Sequence, residues 1–268
     1  MASFPKIESG GYYGPRGNFI SFLGNEPPNR RSLLSYKDSS MLALGTTGML
    51  VAPGGVGKTQ LLTQLAISIA SGENFLGKFN VDYPGHVYLC CGEEDNAEVH
   101  RRIHHSILNL GAKAQQETMS KLWAQGLASY PLTLIEQIDI KLASSIKKDW
   151  LPSAAFKELY QLLEKTAKDR AFSWRLVILE PASRFMGPVA ETDNGVATKF
   201  VQILEQFTTL PGAPVVLIAH HANKGSKEGD TDQTAARGSS ALTDGVRWQA
   251  NIDRVKVVDP ETKKMKIE

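Results

Sequence analysis

Residues 49–72 read MLVAPGGVGKTQLLTQLAISIASG and join an apolar run, a glycine-rich turn and an amphipathic stretch. The centre, APGGVGKT, matches the phosphate-binding pattern G-x-x-x-x-G-K-[ST], with Ala52 in the place of the first glycine. Glycines let backbone N–H groups approach a polyphosphate, and the positive end of the following helix points at the same anion. The residues predicted to bind the nucleotide are consecutive: Pro53, Gly54, Gly55, Val56, Gly57, Lys58, Thr59 and Gln60.

Two residues of this loop carry specific chemistry. Lys58 can reach the β- and γ-phosphates of a nucleotide, and Thr59 offers a hydroxyl ligand to Mg²⁺. We therefore expect ATP and Mg²⁺ to bind here, with Lys58 acting in catalysis.

Acidic residues follow two further apolar runs, where a nucleotide site needs them. Glu180 ends RLVILE and is predicted to hold Mg²⁺ together with Thr59. Glu93 and Glu94 follow HVYLCCG, and one of them is expected to orient the attacking water. Glu93 is the preferred candidate because it comes directly after the run and its glycine, and Glu94 is the alternative.

A pair of histidines ends another apolar run, PVVLIAHHANKG. A histidine at this position can donate a hydrogen bond to the γ-phosphate and so respond to its presence. Because neighbouring side chains of a strand point to opposite faces, only one of the two can serve. His221, which lies further into the loop, is the predicted one.

These residues must be positioned by the elements around them. Strands are predicted at 49–52, 86–91, 176–180 and 215–220, and helices are predicted to begin near Lys58, Asn96, Ser153 and Asp193. Short apolar strands that alternate with helices indicate an α/β fold, a mainly parallel twisted sheet with helices on both faces. Residues 115–148 are expected to form an excursion between strands. Residues 1–40, rich in Gly, Pro, Ser and Asn, are predicted to form an irregular arm before one domain at 41–268.

Bulk composition sets limits on the class of protein. The 268 residues carry 30 basic and 28 acidic side chains, so any nucleic-acid surface must be local. The two cysteines, Cys90 and Cys91, are adjacent in an apolar run and are expected to be buried thiols. No apolar run approaches the ~20 residues of a membrane span, and the N-terminus lacks a signal-peptide core. The sequence predicts a soluble, cytoplasmic protein with no membrane partner.

The segments APGGVGKT, YLCCGEED, RLVILEPASRF, HHANKG and ARGSSALTDGVRWQ together resemble the RecA-like P-loop ATPases. Within these, they are most similar to the hexameric replicative helicases of plasmids, the RepA branch. This resemblance implies a homo-oligomeric ring, such as a hexamer, with ATP at each subunit interface. It also implies an arginine that enters the neighbouring subunit's site, for which Arg247 is the candidate and Arg237 the alternative.

The resemblance further implies single-stranded DNA as a partner, contacted by the loops after two strands. Arg184, Lys224 and Lys227 are the residues expected to touch its phosphates, and Phe185 is the aromatic residue placed to stack on a base. The related helicases continue with further sheet strands, so two alternatives are open: the last strands of the sheet are incomplete here, or this is a naturally shorter member. The function implied is a Mg²⁺-dependent ATPase that acts on nucleic acid as a helicase or as a replication or recombination motor. The alternatives are an ATP-binding assembly switch with slow hydrolysis and, less favoured, a small-molecule kinase.

Overall fold

The structure, a computed structural model, describes residues 31–37, 39–128, 130, 132–141, 145–222, 240–253, 256–258 and 265–267. The strands are β1 Ser32–Tyr36, β2 Ser39–Ala43, β3 Thr47–Ala52, β4 Asn80–Val81, β5 His86–Cys91, β6 Leu122–Gly126, β7 Ile135–Lys141, β8 Ile146–Pro152, β9 Trp174–Glu180, β10 Val215–His221, β11 Trp248–Asn251, β12 Lys256–Val258 and β13 Met265–Ile267. The helices are α1 Lys58–Ser71, α2 Asn96–Ile107, α3 Ala112–Lys121, α4 Ala154–Asp169, α5 Ala182–Ala190, α6 Asn194–Phe207 and α7 Ser240–Gly245.

Six of these strands form one central sheet in the order β11-β3-β10-β9-β5-β6. Every neighbouring pair in this sheet is parallel. Helices cover both faces, so the predicted fold class is confirmed. All four predicted strands are present, and three of them are one or two residues longer than predicted. Because all six strands run the same way, their C-terminal ends share one edge.

Alternate residues of each strand enter one of two hydrophobic cores. Met49 and Val51 of β3 pack with α4, α5 and α6, whereas Leu50 packs with α1 and α2. Cys90 and Cys91 divide between the cores in the same way, and both are buried free thiols as the sequence predicted. Burial on both faces explains why the strands are continuously apolar.

Side-chain caps fix where the helices at this edge begin. Asp95 accepts from the Glu98 N–H at the start of α2, Ser153 accepts from the Phe156 N–H, and Asp193 accepts from the Val196 N–H. Each cap satisfies a backbone donor that the first helical turn would otherwise leave unpaired. The predicted helix starts agree with these caps to within one residue.

Two sequence predictions need correction. The irregular arm was predicted to extend to residue 40, but β1 and the start of β2 lie at 32–36 and 39–40, and Leu33 and Leu34 are buried in the core beside α1. Residues 1–30 lie outside the described part of the chain. The excursion at 115–148 contributes β6 to the central sheet and then forms an antiparallel hairpin of β7 and β8. The strand β6 was not predicted because the polar residues of this segment interrupt the apolar pattern. Such a pattern is typical of a strand at the edge of a sheet.

Two glycines let backbones approach closely at the C-terminal edge. The Gly92 N–H donates to the Glu180 carbonyl at 2.6 Å, joining the ends of β5 and β9. Gly126 ends β6 directly under the turn after β5, where an added Cβ would lie 2.4 Å from the carbonyl carbon of Asp95. The Gly126 N–H also donates to Asn96 Oδ1 at 2.8 Å. These contacts hold the acidic turn, residues 92–95, against the sheet.

No helix in the described ranges is both long enough and apolar enough to cross a bilayer.

Gly126→Ala is expected to displace the acidic turn, because backbone atoms occupy the space that its methyl group needs. We expect a loss of about 1–3 kcal/mol in the free energy of unfolding, measured by urea denaturation. Gly111→Ala is the matched control, because a Cβ at that position meets no atom within 4 Å among the described residues and its φ is −62°. Equal stability of the two variants would contradict this account of the turn.

Candidate active site

The predicted nucleotide-binding loop joins β3 to α1 at the C-terminal edge of the sheet. Gly57 caps the helix with φ of +86°, a left-handed conformation that glycine adopts without strain. The loop residues Gly54, Gly55 and Gly57 are exposed, while Pro53 and Val56 are half-buried. Gln60 is exposed and donates to Ser106 Oγ at 3.0 Å, so it ties α1 to α2.

Lys58 is buried beneath this loop, with 6% of its surface exposed. Its ammonium lies 3.2 Å from the Ala52 carbonyl, 3.1 Å from the Pro53 carbonyl and 3.3 Å from His221 Nδ1. Burial lowers the pKa of Lys58, while Glu180 and Glu93 oppose that shift. The Lys58 ammonium thus contacts groups at the ends of two neighbouring strands, β3 and β10.

His221 is the histidine that reaches the loop, as its position in the sequence predicts. When Lys58 donates to Nδ1, a neutral His221 ring carries its proton on Nε2, and we assign that tautomer. His220, its neighbour, is only 2% exposed, inside the sheet. The structure therefore brings His221 to Lys58 and leaves His220 in the interior.

Glu180 lies beside Thr59 at the end of β9. The Thr59 hydroxyl donates to Glu180 Oε1 at 2.9 Å, and Glu180 Oε2 has no hydrogen-bond partner among the described residues. Burial raises the pKa of Glu180 to about 7, with Glu94 and Glu93 adding to the rise and Thr59 and Lys58 opposing it. A buried carboxylate with an unused oxygen is suited to a cation.

Glu94 shares this space with Glu180. Ligand atoms of Glu94, Glu180 and Cys91 all lie within 4.8 Å of one another. Glu94 Oε1 pairs with Arg102 Nη2 at 3.0 Å, while Glu94 Oε2 is buried without a hydrogen-bond partner among the residues described. Burial, with help from the two glutamates, raises the pKa of the Cys91 thiol well above its usual range, so Cys91 stays neutral and is a poor ligand.

The residues present fit a magnesium ion. Mg²⁺ takes oxygen ligands and keeps several waters, and it is held in nucleotide sites by one or two protein side chains and the phosphates. Thr59 and Glu180 supply the hydroxyl and carboxylate that the sequence predicted for this role. The two unused carboxylate oxygens, from Glu94 and Glu180, are the observation that favours a cation here.

Glu93 is placed differently from Glu94. Its side chain is 49% exposed and lies 3.7 Å from Arg184 Nε on α5, whose own side chain is 56% exposed. Burial therefore distinguishes the two candidates for the water-orienting residue, since the Glu94 side chain is mostly buried and the Glu93 side chain is half exposed. The structure places Glu94, rather than Glu93, beside Glu180.

Other predicted residues fall elsewhere or outside the description. Arg247 is exposed just before β11, where its N–H donates to the Thr47 carbonyl at 2.9 Å. Lys224, Lys227 and Arg237 lie outside the described residues. The stacking role predicted for Phe185 is wrong, because that side chain lies on the buried face of α5 and is completely enclosed in the core.

Arg102 is the functional candidate that sequence reasoning missed. Its Nε also bonds Glu98 Oε1 at 2.9 Å, at helical spacing i, i+4. That spacing was a visible signal for a helix-surface pair, but it gave no sign that the same guanidinium reaches back to Glu94.

A protein-family model described as an AAA domain matches residues 16–227 of this chain. A solved structure of a KaiC-like protein from the hyperthermophilic archaeon Pyrococcus horikoshii OT3 is also similar. It shares 12% sequence identity with this chain at a TM-score of 0.49, over 90% of this chain and 86% of that one.

Glu180→Gln is expected to remove a loss in the free energy of unfolding that the parent shows as pH rises. Because the folded-state pKa is near 7 and the ordinary value is 4.5, the native protein keeps a proton that the unfolded chain releases in that window. Native stability contributed by this group therefore falls as pH rises from 4.5 to about 7. At pH 8 the neutral variant should unfold with a free energy about 1–3 kcal/mol higher than the parent, since one pKa unit corresponds to about 1.4 kcal/mol.

The measurement is urea denaturation from pH 5 to 8 without nucleotide or Mg²⁺. The control is Glu73→Gln, which removes an exposed carboxylate beyond the end of α1. Parallel pH profiles for the parent and Glu180→Gln would contradict the assignment.

Glu94→Gln is expected to lower the turnover number for ATP at least about 10²-fold, because the amide keeps the shape but loses the proton-accepting charge. Glu93→Gln should change it less than about tenfold, since that side chain is half exposed. Steady-state phosphate release measures both. The reverse ranking would return the water-orienting role to Glu93, the candidate favoured by sequence order.

Proposed function

The chain belongs to the AAA domain family, and from this premise and the site geometry we propose that it is a Mg²⁺-dependent ATP hydrolase. The observation that carries the proposal is the convergence of groups from three separate strand ends. Lys58 and Thr59 follow β3, Glu94 follows β5 and Glu180 ends β9, and two of their carboxylate oxygens have no hydrogen-bond partner in the described part of the chain.

In this proposal, the loop residues bind the phosphates of ATP. Backbone N–H groups of Gly54–Thr59 and the N-terminus of α1 face the anion, and Lys58 exchanges contacts with carbonyl oxygens for contacts with phosphate oxygens. Thr59 and Glu180 hold the metal. Mg²⁺, when bound, supplies positive charge beside the phosphate oxygens.

The hydrolytic step needs a water and a proton acceptor. Glu94 Oε2 accepts a proton from the attacking water while the water oxygen forms a bond to the γ-phosphorus. The bond between that phosphorus and the β–γ bridging oxygen breaks. ADP and phosphate are the products. His221 donates from Nε2 to the γ-phosphoryl group while Nδ1 contacts Lys58, so both groups respond to the same phosphate.

The finer part of the proposal concerns assembly and partner. We place Arg247 in the site of a neighbouring subunit, as in a homo-oligomeric ring, because it is exposed and precedes the edge strand β11. Single-stranded DNA is the proposed partner, and exposed Arg184 is the described residue available to its phosphates. Helicase activity remains a prediction from the resemblance to the plasmid helicases, and the cytoplasmic location remains a prediction from the amino-acid sequence.

One observation favours the second candidate, an ATP-binding assembly switch with slow hydrolysis. The pKa of Glu180 near 7, caused mainly by burial, lets a proton compete with the metal at neutral pH. The two candidates differ in turnover. Phosphate release by the parent, measured with and without single-stranded DNA, separates them.

Complementation tests the shared site. Arg247→Ala should leave nucleotide affinity nearly unchanged and lower hydrolysis by about 10³-fold or more, the scale known for arginines supplied in trans. Lys58→Ala should lose tight ATP binding or turnover. A mixture of the two variants should regain partial activity, because one mixed interface joins an intact loop to an intact arginine.

The subunits must first be shown to exchange, by mixing labelled and unlabelled parent. A monomeric protein with full activity would contradict the ring. Mixed samples that exchange subunits yet stay as inactive as either variant would transfer the test to Arg237, and the same result there would remove the shared-site proposal.

A further inference from the structure

Arg102 on α2 links the surface of that helix to the interior of the site. Its Nη2 lies 3.0 Å from Glu94 Oε1, and its Nε lies 2.9 Å from Glu98 Oε1. The Arg102 side chain is 31% exposed and the Glu94 side chain only 15%. The guanidinium therefore pairs on one side with a partly exposed helix residue and on the other with a carboxylate of the candidate site.

The arginine is itself held in place from its own helix. Glu98 accepts from Arg102 Nε through Oε1 at 2.9 Å, and from Nε and Nη2 of Arg101 through Oε2 at 3.0 and 2.8 Å. The Asp95 cap fixes the start of α2, and Gly126 supports the turn from below. The planar, rigid guanidinium fork can thus transmit a defined orientation to the carboxylate it contacts.

Glu94 needs such an orienting contact. Its Oε2 and the Oε2 of Glu180 are both unpartnered within the described structure, and two carboxylates so close repel each other. Without a partner on Oε1, Glu94 would turn toward solvent, as the exposed Glu93 does. The Arg102 contact engages Oε1 and leaves Oε2 available inside the site.

We propose that Arg102 is a positioning residue of the ATPase site, which holds Glu94 so that its free oxygen stays beside Glu180. The inference rests on the proposed function and adds a residue to it. The competing explanation is an ordinary helix-surface ion pair, which contributes little to stability and nothing to turnover.

The matched control lies one residue away. Arg101 is on the same helix and pairs with the same Glu98, but its side chain is 61% exposed and its ion pair is to Glu98 alone within the described structure. Arg101→Ala and Arg102→Ala therefore remove the same side chain and a bond to the same carboxylate. They differ in the bond to Glu94.

The experiment compares the parent, Arg101→Ala, Arg102→Ala and Arg102→Lys in steady-state ATP hydrolysis. Affinity for a fluorescent ATP analogue and thermal unfolding are measured on the same samples. Arg102→Ala should lower the turnover number about 10–100-fold, the range known for groups that hydrogen-bond to a site residue and fix its orientation. Its nucleotide affinity should stay within about threefold, because the phosphate loop is untouched. Arg102→Lys should recover part of the loss, and Arg101→Ala should stay within about twofold of the parent.

A double variant separates positioning from general damage. If Arg102 acts through Glu94, then Arg102→Ala should lower turnover no further in a Glu94→Gln background, because groups that act as a unit are not additive. A full additional loss in that background would overturn the inference. So would equal losses in Arg101→Ala and Arg102→Ala, or an Arg102→Ala variant with more than half of the parent's turnover.

Failure of the proposed function looks different. A parent protein that binds the ATP analogue without hydrolysing it overturns the hydrolase and this inference together. A parent that hydrolyses ATP, with Arg102→Ala unaffected, overturns the inference alone.

Discussion

The burial of the Glu180 carboxyl is the constraint on which the site depends. A carboxylate with almost no access to water is stable only beside a proton, a cation or hydrogen-bond donors. Among the described residues, Thr59 donates to Glu180, Lys58 is a nearby cation, and a second glutamate, Glu94, lies next to Glu180. Arg102 pairs with that second glutamate through Oε1, yet the Oε2 atoms of both glutamates have no hydrogen-bond partner among the described residues. Burial, with the neighbouring glutamates adding to it, raises the pKa of Glu180, and the same surroundings make the position favourable for a divalent ion.

The backbone makes that crowding possible. Carboxyl ends of parallel strands meet at one edge, but side chains from β5 and β9 come together only because their backbones approach without an intervening Cβ. Gly92 joins these two strand ends, and Gly126 lets β6 support the turn from below. Two residues with no side-chain chemistry thus decide how close the acidic groups lie.

Much of the fold and site could be predicted from local sequence. The phosphate loop, the position of Glu180 at a strand end and the capped helix starts each depend on a short segment. The residue types and spacing in that segment are enough to predict them. Contacts between distant segments could not be predicted in that way. The pairing of β6 depends on the neighbouring strand, and the Arg102 contact depends on the exact turn between β5 and α2. The position of Phe185 was predicted wrongly for the same reason, because only the packing of α5 against the sheet shows that this ring faces the core.

The same residue occurs twice in a row at three places along this edge: Cys90-Cys91 at the end of β5, Glu93-Glu94 in the turn just after it, and His220-His221 at the end of β10. The two members of each pair have different surroundings: the cysteines enter opposite cores, the glutamates meet different arginines, and one histidine is buried while the other reaches Lys58. A slip of one residue along a strand exchanges such members between faces. With identical neighbours, a slip in one direction brings a group of the same kind to the position that its neighbour leaves. A one-residue shift of that kind at this edge therefore keeps a thiol, a carboxylate or an imidazole at one position of each pair.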